Sequence, residues 1–364
     1  MNPLVAIAGT GLLGYAAVSI PVNARKARAK RAAVAKKPIV IDAAAYGLVP
    51  GDQLDARSAG PDPEADAVAS GALAGDWRRA AAYLAGAGRD WDLRWYRLGI
   101  LADAAVEDDA WVKAWRTEYP HDPAATLVHA DALVMLAAKA RGALRARYTT
   151  AEQFEGYRRL LTETLPVSQE AARMAPEDPS PWVVQLAVAQ GLGWSYDDFR
   201  ALWAEIVARD PYHFGAHARA LQYWCAKWQG SHELMYAFAE QAAATAPPGS
   251  PLPVLRLYAI FEQQFQDNDV TVYRQPFVNP AIDATLEAAA HMPRDHHRVS
   301  FVRHLLAYSL FRTERYAEGV EQFHALGGHI GSIPWIYFTD PAKQFVHART
   351  NTFVEWERAG RPGA

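Results

Sequence analysis

Proline-containing turns recur along most of the chain and divide it into short segments with helical periodicity. These turns lie at residues 119–123, 175–179, 209–211, 246–248 and 292–293. Pro179, Pro211 and Pro247 are 32 and 36 residues apart, and a repeat of this length is typical of two helices joined by a turn. A chain of 364 residues is longer than a single hydrophobic core normally accommodates, whereas a stack of helical repeats has no such limit. The spacing therefore predicts a helical-repeat solenoid.

The composition favours helices over strands. Hydrophobic residues make up 51% of the chain and aromatic residues 11%, and alanine, the strongest helix former, is abundant. Alternating runs of Val, Ile and Thr, which are typical of strands, are nearly absent. We therefore predict an all-α fold.

The clearest predicted repeat unit covers residues 180–213. Ser180 is predicted to be the N-cap of its first helix, with Pro181 at the first helical position, and Ser195 with Asp198 resembles a capping box at the start of its second helix. The apolar residues of the second helix fall on one stripe: Phe199, Leu202, Trp203, Ile206 and Val207. This stripe needs a neighbouring helix to cover it, and Trp203 is expected at its buried centre.

The second helix of this unit resembles the tetratricopeptide repeat. The aromatic, small and proline positions of that repeat are matched by Tyr196, Phe199, Trp203, Ile206 and Pro211, with Phe199 in place of the usual alanine. Similar spacing without the proline occurs in Trp77, Ala80, Leu84 and Ala87, and in Tyr316, Gly319, Phe323 and Leu326. The strings GDWRRAAAYLAGAGRDWDLRWYR, QYWCAKWQGSHELMYAFAE and APPGSPLPVLRLYA are similar to an uncharacterised bacterial family with tetratricopeptide-like character. The resemblance covers residues 71–340 and implies a divergent fold of this kind without an activity.

An uncharged apolar stretch near the N-terminus predicts one transmembrane helix. Residues 4–22 carry no charge, and as a helix they would span roughly 28 Å, close to the thickness of a bilayer core. Residues 23–37 follow with seven Lys or Arg and no acid, so the positive-inside rule predicts a single-pass protein with a cytoplasmic body. Residues 23–70 are expected to form a basic juxtamembrane segment and a linker, and residues 71–360 the helical repeat domain.

A glycine pattern within the apolar stretch has a second interpretation. Gly9, Gly11 and Gly14 form the G-x-G-x-x-G pattern of dinucleotide-binding folds, and residues 38–42 resemble a second strand. The pattern has this meaning only inside a βαβ unit, and no further strands are predicted after it. Such glycines are also common where membrane helices pack closely, and a plain lipid-facing helix is the simplest interpretation, so no cofactor is predicted.

The charge distribution argues against nucleic acid as a partner. The net charge of the whole chain is −3; without the seven basic residues of the N-terminal run, the remainder is −10. An acidic body is unsuited to a polyanion. A single cysteine, Cys225, excludes a disulfide within the chain.

The leading functional hypothesis is a membrane-anchored scaffold that binds a protein or peptide in the concave groove of the solenoid. Alignment to the repeat predicts that five residues project toward this groove: Val184, Val188, Ala218, Gln222 and Cys225. The same alignment places His217 and Trp224 in the core.

Two other hypotheses remain open. The first is a metal-binding or enzymatic protein that uses the histidines near 213–217 or 296–304, because His213 and His217 have the i, i+4 spacing of metal ligands on a helix. No third ligand is evident beside them, and packed or capping histidines are the simpler interpretation. Cys225 with His232 is conceivable as a nucleophile and base, but a buried free cysteine is more common. The second hypothesis is a purely structural membrane-associated subunit.

Overall fold

The computed structural model describes residues 41–142 and 148–361, and within these ranges the protein is all-helical, as predicted. Fifteen α-helices occur there: α1 Pro63–Leu73, α2 Trp77–Ala85, α3 Trp91–Glu107, α4 Ala110–Glu118, α5 Pro123–Arg141, α6 Ala151–Met174, α7 Ser180–Leu192, α8 Tyr196–Arg209, α9 Phe214–Trp224, α10 His232–Ala244, α11 Val254–Asp267, α12 Val278–His291, α13 Val299–Arg312, α14 Tyr316–Leu326 and α15 Pro341–Arg358. Three short 3₁₀ helices cover Ala44–Tyr46, Val270–Arg274 and Trp335–Tyr337. The same ranges contain no β-strand, only one isolated bridge between Asp55 and His329.

The helices form two layers. The inner layer consists of the odd-numbered helices from α3 to α15, and each of them up to α13 contacts the next odd-numbered helix. The even-numbered helices from α6 onward pack outside, against the inner helices beside them. In addition, α3 contacts α9 directly, although α5 and α7 lie between them in the order of the inner helices.

Helix α9 is almost completely buried. All its residues except Arg219 are buried, because α3, α7, α10 and α11 surround it. Gly215 allows the closest approach: a Cβ atom added there would lie 2.3 Å from Cδ1 of Trp95 on α3. A side chain at this position would therefore push the two helices apart.

The predicted hairpin at 180–213 is formed by α7 and α8. Ser195 caps α8 as expected: its Oγ accepts a hydrogen bond from the Asp198 amide at 3.2 Å. Of the predicted stripe, Phe199, Leu202 and Ile206 are buried. Trp203 differs from expectation, because its ring is only partly buried and packs against the rings of His217 and Phe238 on the neighbouring helices.

The segment at 43–70, expected to be a linker, is more ordered than its composition indicates. Helix α1 begins at Pro63, where the Asp62 side chain accepts a hydrogen bond from the Ala65 amide at 2.9 Å; an acidic cap followed by proline is a strong helix start. Residues 41–60, which we name the strap, lie against the C-terminal part of the chain. The Ile330 amide donates to the Asp55 carbonyl at 2.9 Å.

The last helix, α15, begins after Asp340, whose side chain accepts a hydrogen bond from the Lys343 amide at 2.9 Å. It packs on α13 and α14. None of the helices in the described ranges is both long and apolar enough to cross a bilayer. The predicted membrane span at 4–22, the basic run that follows it and the glycine pattern all lie outside these ranges.

Candidate functional site

Asp92, in the first turn of α3, receives hydrogen bonds from two distant parts of the chain. Its Oδ2 accepts from Nε of Arg298 and from Nε2 of His297, both at 2.8 Å. Its Oδ1 accepts from Nη2 of Arg298 at 3.0 Å and from the Gly215 amide at 2.8 Å. The Nδ1 atom of His213 lies 3.4 Å from the same Oδ1. We name Asp92, His213, His297 and Arg298 the Asp92 cluster.

The starts of three inner helices position these groups. Asp92 lies two residues after Asp90, whose side chain caps α3 by accepting from the Leu93 amide at 3.0 Å. His213 caps α9, and its Nδ1 accepts from the Ala216 amide at 3.2 Å. Arg298 is the residue before α13. Because α3, α9 and α13 all begin at this end of the molecule, residues far apart in sequence come together here.

Burial and charge act in opposite directions on Asp92. Removal from water would by itself raise the pKa of this carboxyl, but the Arg298 charge and the bonds from His297 and Arg298 hold the pKa well below its usual value. Burial also lowers the pKa of His213. Since Nδ1 of His213 accepts from a backbone amide, the neutral ring carries its proton on Nε2, which has no acceptor in the described part of the chain.

The arrangement is suited to holding helices together rather than to transferring a proton. The carboxylate of Asp92 accepts four hydrogen bonds, so its lone pairs are occupied and its charge is balanced by Arg298. The His297 ring stacks on His296 with ring centroids 4.5 Å apart, and its centroid lies 5.3 Å from that of the Tyr96 ring. A carboxylate bound in this way is a weak base.

The structure brings together only some of the histidines named from the sequence. His213 and His297 meet at Asp92, whereas His217 turns away: its Nδ1 donates to the His213 carbonyl at 3.0 Å and its ring packs on Trp203. His304 lies elsewhere, between the Ser58 carbonyl, 3.0 Å from its Nε2, and Nε1 of Trp335, 2.9 Å from its Nδ1. Within residues 41–142 and 148–361, no three His, Cys, Asp or Glu side chains are arranged to hold a metal ion.

The five residues expected to line a concave groove lie in the core instead. The structure buries Val184, Val188, Ala218, Gln222 and Cys225. The prediction assumed that the inner face is open, as it is in a regular repeat. In this protein α3, α10 and α11 cover the faces of α9. His217 and Trp224 are buried, in agreement with their predicted core positions.

Gln222 belongs to a second buried polar network, centred on Glu262 of α11. The Gln222 amide donates to Oε1 of Glu262 at 2.8 Å and to the Tyr258 hydroxyl at 2.7 Å. Nζ of Lys227 lies 2.6 Å from Oε2 of Glu262, and the Tyr337 hydroxyl also donates to this carboxylate. Burial raises the pKa of Tyr258 and Tyr337 well above their usual value, so neither hydroxyl is an acid near neutral pH.

Cys225 is part of the apolar core. Its Sγ contacts the Leu221 carbonyl and the sulfur of Met235, each at 3.4 Å. Burial raises the pKa of the thiol far above its usual value. A thiol in this environment stays protonated and is a poor nucleophile.

An open cleft of about 600 Å³ lies at the same end of the molecule as the Asp92 cluster. It is bordered by the loops that precede α3, α5 and α7, and its wall includes Arg89, Trp91, Arg94 and Glu177. Arg94 is fixed by Asp178, with Nε 2.7 Å from Oδ2. Arg89 and Glu177 are exposed and place one positive and one negative group at the rim of the cleft. We name this feature the loop-end cleft.

Sequence reasoning did not identify Asp92, Arg298 or Glu262. An acid in the first turn of a helix is ordinary, and Asp92 carries no other local signal. The sequence does place Arg298 directly after the pair His296 and His297, but nothing local connects that triplet to α3.

Comparison with known proteins adds no relative: no family model, curated protein or solved structure matches this chain.

Proposed function

We propose that this protein is a membrane-anchored helical-repeat scaffold of the tetratricopeptide-like kind that binds a protein or peptide partner at the loop-end cleft. The observation that carries the proposal is the contrast between the groove predicted from the sequence and the loop-end cleft. The inner faces of α7 and α9 are packed and buried, while the cleft beside the starts of α3, α5 and α7 is open to solvent.

The chemistry of the cleft supports a peptide-like partner. Trp91 provides a partly exposed ring at the first position of α3, and Arg89 and Glu177 place opposite charges on the rim. Aromatic and arginine side chains are enriched where proteins bind one another. The two-layer helical arrangement, in which loops gather at one end, supports the choice of these loops as the contact surface.

The proposed anchor rests on residues 4–22 and the basic run after them. If it is correct, the full-length chain fractionates with membranes, resists high-salt washing and is released by detergent. Recovery of the full-length chain in the supernatant after salt washing and ultracentrifugation contradicts the anchor. A tag at the C-terminus is expected to be protected from added protease in intact cells, since the body is proposed to be cytoplasmic.

The proposed binding surface is tested by affinity capture from native membranes with the full-length chain. Arg89→Glu reverses the exposed charge on the cleft rim, and Arg158→Glu reverses an exposed charge on α6. We expect Arg89→Glu to reduce the partner recovered at least about fivefold, and Arg158→Glu to leave recovery unchanged. Equal recovery with both variants contradicts binding at the cleft.

The alternative of a metal-binding or catalytic protein has less support. His297 donates to Asp92, Nδ1 of His213 accepts from the Ala216 amide, and His217 and His304 bond to other groups.

A further inference from the structure

Arg349, on α15, is a buried cation that bonds to no acceptor among the residues that the structure describes. It is 2% exposed, and its Nε and Nη1 atoms have no partner in the described part of the chain. Its guanidinium lies over the ring of Phe345, 5.4 Å from the ring centroid. No ion pair forms at this residue among residues 41–142 and 148–361, and burial alone lowers the pKa of Arg349.

Comparison with Arg298 shows how unusual this position is. Arg298 is 1% exposed and bonds through Nε and Nη2 to the carboxylate of Asp92. Arginine does not lose its proton in proteins, and an uncompensated buried charge costs several kcal/mol. Asp92 compensates the buried charge of Arg298, whereas no acid in the described part of the chain compensates that of Arg349.

The strap crosses the same face of α15. Val346, Arg349 and Phe353 have i, i+3, i+7 spacing and share one side of the helix. A Cβ added at Gly51 of the strap would lie 3.3 Å from Cγ2 of Val346, and the Tyr46 ring packs 5.3 Å from Phe353. Arg349 therefore lies between the two places where the strap contacts α15.

The strap carries Asp42, Asp52 and Asp55, but no carboxylate of the described residues acts on the Arg349 guanidinium. The forty residues that precede the strap contain no Asp or Glu. A guanidinium presents two parallel N–H donors that match the oxygens of a phosphate or carboxylate. Because Arg349 is almost fully covered, a ligand at its guanidinium is restricted to a few atoms.

We propose that Arg349 is the receptor for a small free oxyanion of the size of phosphate, held between α15 and the strap. The anion accepts hydrogen bonds from the edge of the guanidinium and supplies the negative charge that residues 41–142 and 148–361 do not. Because the anion lies between α15 and the strap, it also holds the strap against this helix.

The test is calorimetric titration of sodium phosphate into the full-length protein at constant ionic strength. We expect saturable binding with one site per chain, weakened at least tenfold by Arg349→Met and unchanged by Arg158→Met, which removes an exposed charge. Absence of saturable binding to the native protein, or equal affinity in Arg349→Met, overturns the proposal.

A second variant keeps the test decisive if Arg349→Met does not fold. Arg349→Lys retains the charge but loses the pair of parallel donors, so it is expected to weaken phosphate binding at least threefold. Unchanged affinity in a folded Arg349→Lys variant contradicts the guanidinium as the receptor. This test is independent of the loop-end cleft, since neither Arg349 nor the strap borders the cleft.

Discussion

Asp92 and Arg298 are 206 residues apart in sequence, yet the carboxylate of Asp92 accepts two hydrogen bonds from the guanidinium of Arg298. The pair joins the start of α3 to the start of α13. The Gly215 amide donates to the same carboxylate, which adds α9 to the junction. The buried carboxylate of Asp92 thus connects the first, middle and last thirds of the described chain.

Removal of this carboxylate is expected to destabilise the whole protein. Asp92→Ala leaves Arg298 buried without a counter-charge, and breaking a buried ion pair from one side costs about 3–5 kcal/mol. The free energy of unfolding, measured by urea denaturation, should fall by that amount. Glu118→Ala removes an exposed partner of Arg78 and should change it by less than about 1 kcal/mol. A small, equal effect of the two substitutions would show that Asp92 is not a junction.

The buried His304 predicts a loss of stability in mild acid. Burial lowers the pKa of His304 from 6.5 to about 4, so between these values the unfolded chain binds a proton that the folded chain does not. The free energy of unfolding therefore falls as the pH decreases from about 6.5 to about 4 and, for this group, changes no further below that. The loss from one such histidine is at most about 3 kcal/mol.

Substitution isolates this contribution. His304→Gln removes the titrating group, so the slope of unfolding free energy against pH between 6.5 and 4 should become shallower than in the native protein. His121→Gln, at an exposed histidine, should leave the slope unchanged. The prediction is wrong if the native protein and His304→Gln have the same slope.

Cys225 should react slowly with thiol reagents near neutral pH. Its thiol is 1% exposed and burial raises its pKa, so reaction requires the core to open. The rate of labelling by a chromogenic disulfide reagent should be at least about a hundredfold lower in native buffer than in denaturant. Labelling of the native protein as fast as a free thiol would place Cys225 outside the core.

Two aromatic residues of α8 should differ in their contribution to stability. Phe199 is fully buried and its ring stacks on Tyr223 at 3.7 Å, so Phe199→Ala should cost about 3–5 kcal/mol. Trp203 is only partly buried, and Trp203→Ala should cost about half as much, despite the larger side chain. Thermal and urea unfolding of both variants check the order, and a larger loss in Trp203→Ala would contradict the register of α8.

The sequence predicted local structure well, because caps and periodicity act over a few residues. Ser195 caps the helix that it was expected to cap, and the hairpin of α7 and α8 has the predicted extent, whereas the Ser180 side chain makes no capping hydrogen bond. The start of α1 at Pro63 was not predicted, since the surrounding Ala, Gly and Pro residues resemble a linker. Asp62 was the available signal.

Long-range packing could not be read from the same patterns. Gln222 was placed at an open groove because repeat spacing assigns a side of the helix without stating what covers it. The small residues of α9, with Gly215 at its start, allow α3 to approach, and this contact closes the inner face. No local sequence pattern indicates that Asp92 contacts Arg298, because that contact depends on the path of the whole chain.

The most direct test of the account is site-specific photo-crosslinking of the full-length protein in native membranes. A photoreactive phenylalanine analogue replaces Arg89 at the loop-end cleft in one variant and Arg158 on α6 in another. We predict one discrete crosslinked partner from position 89 and none from position 158. The same crosslinked products from both positions, or products from position 158 alone, would contradict a partner bound at the loop-end cleft.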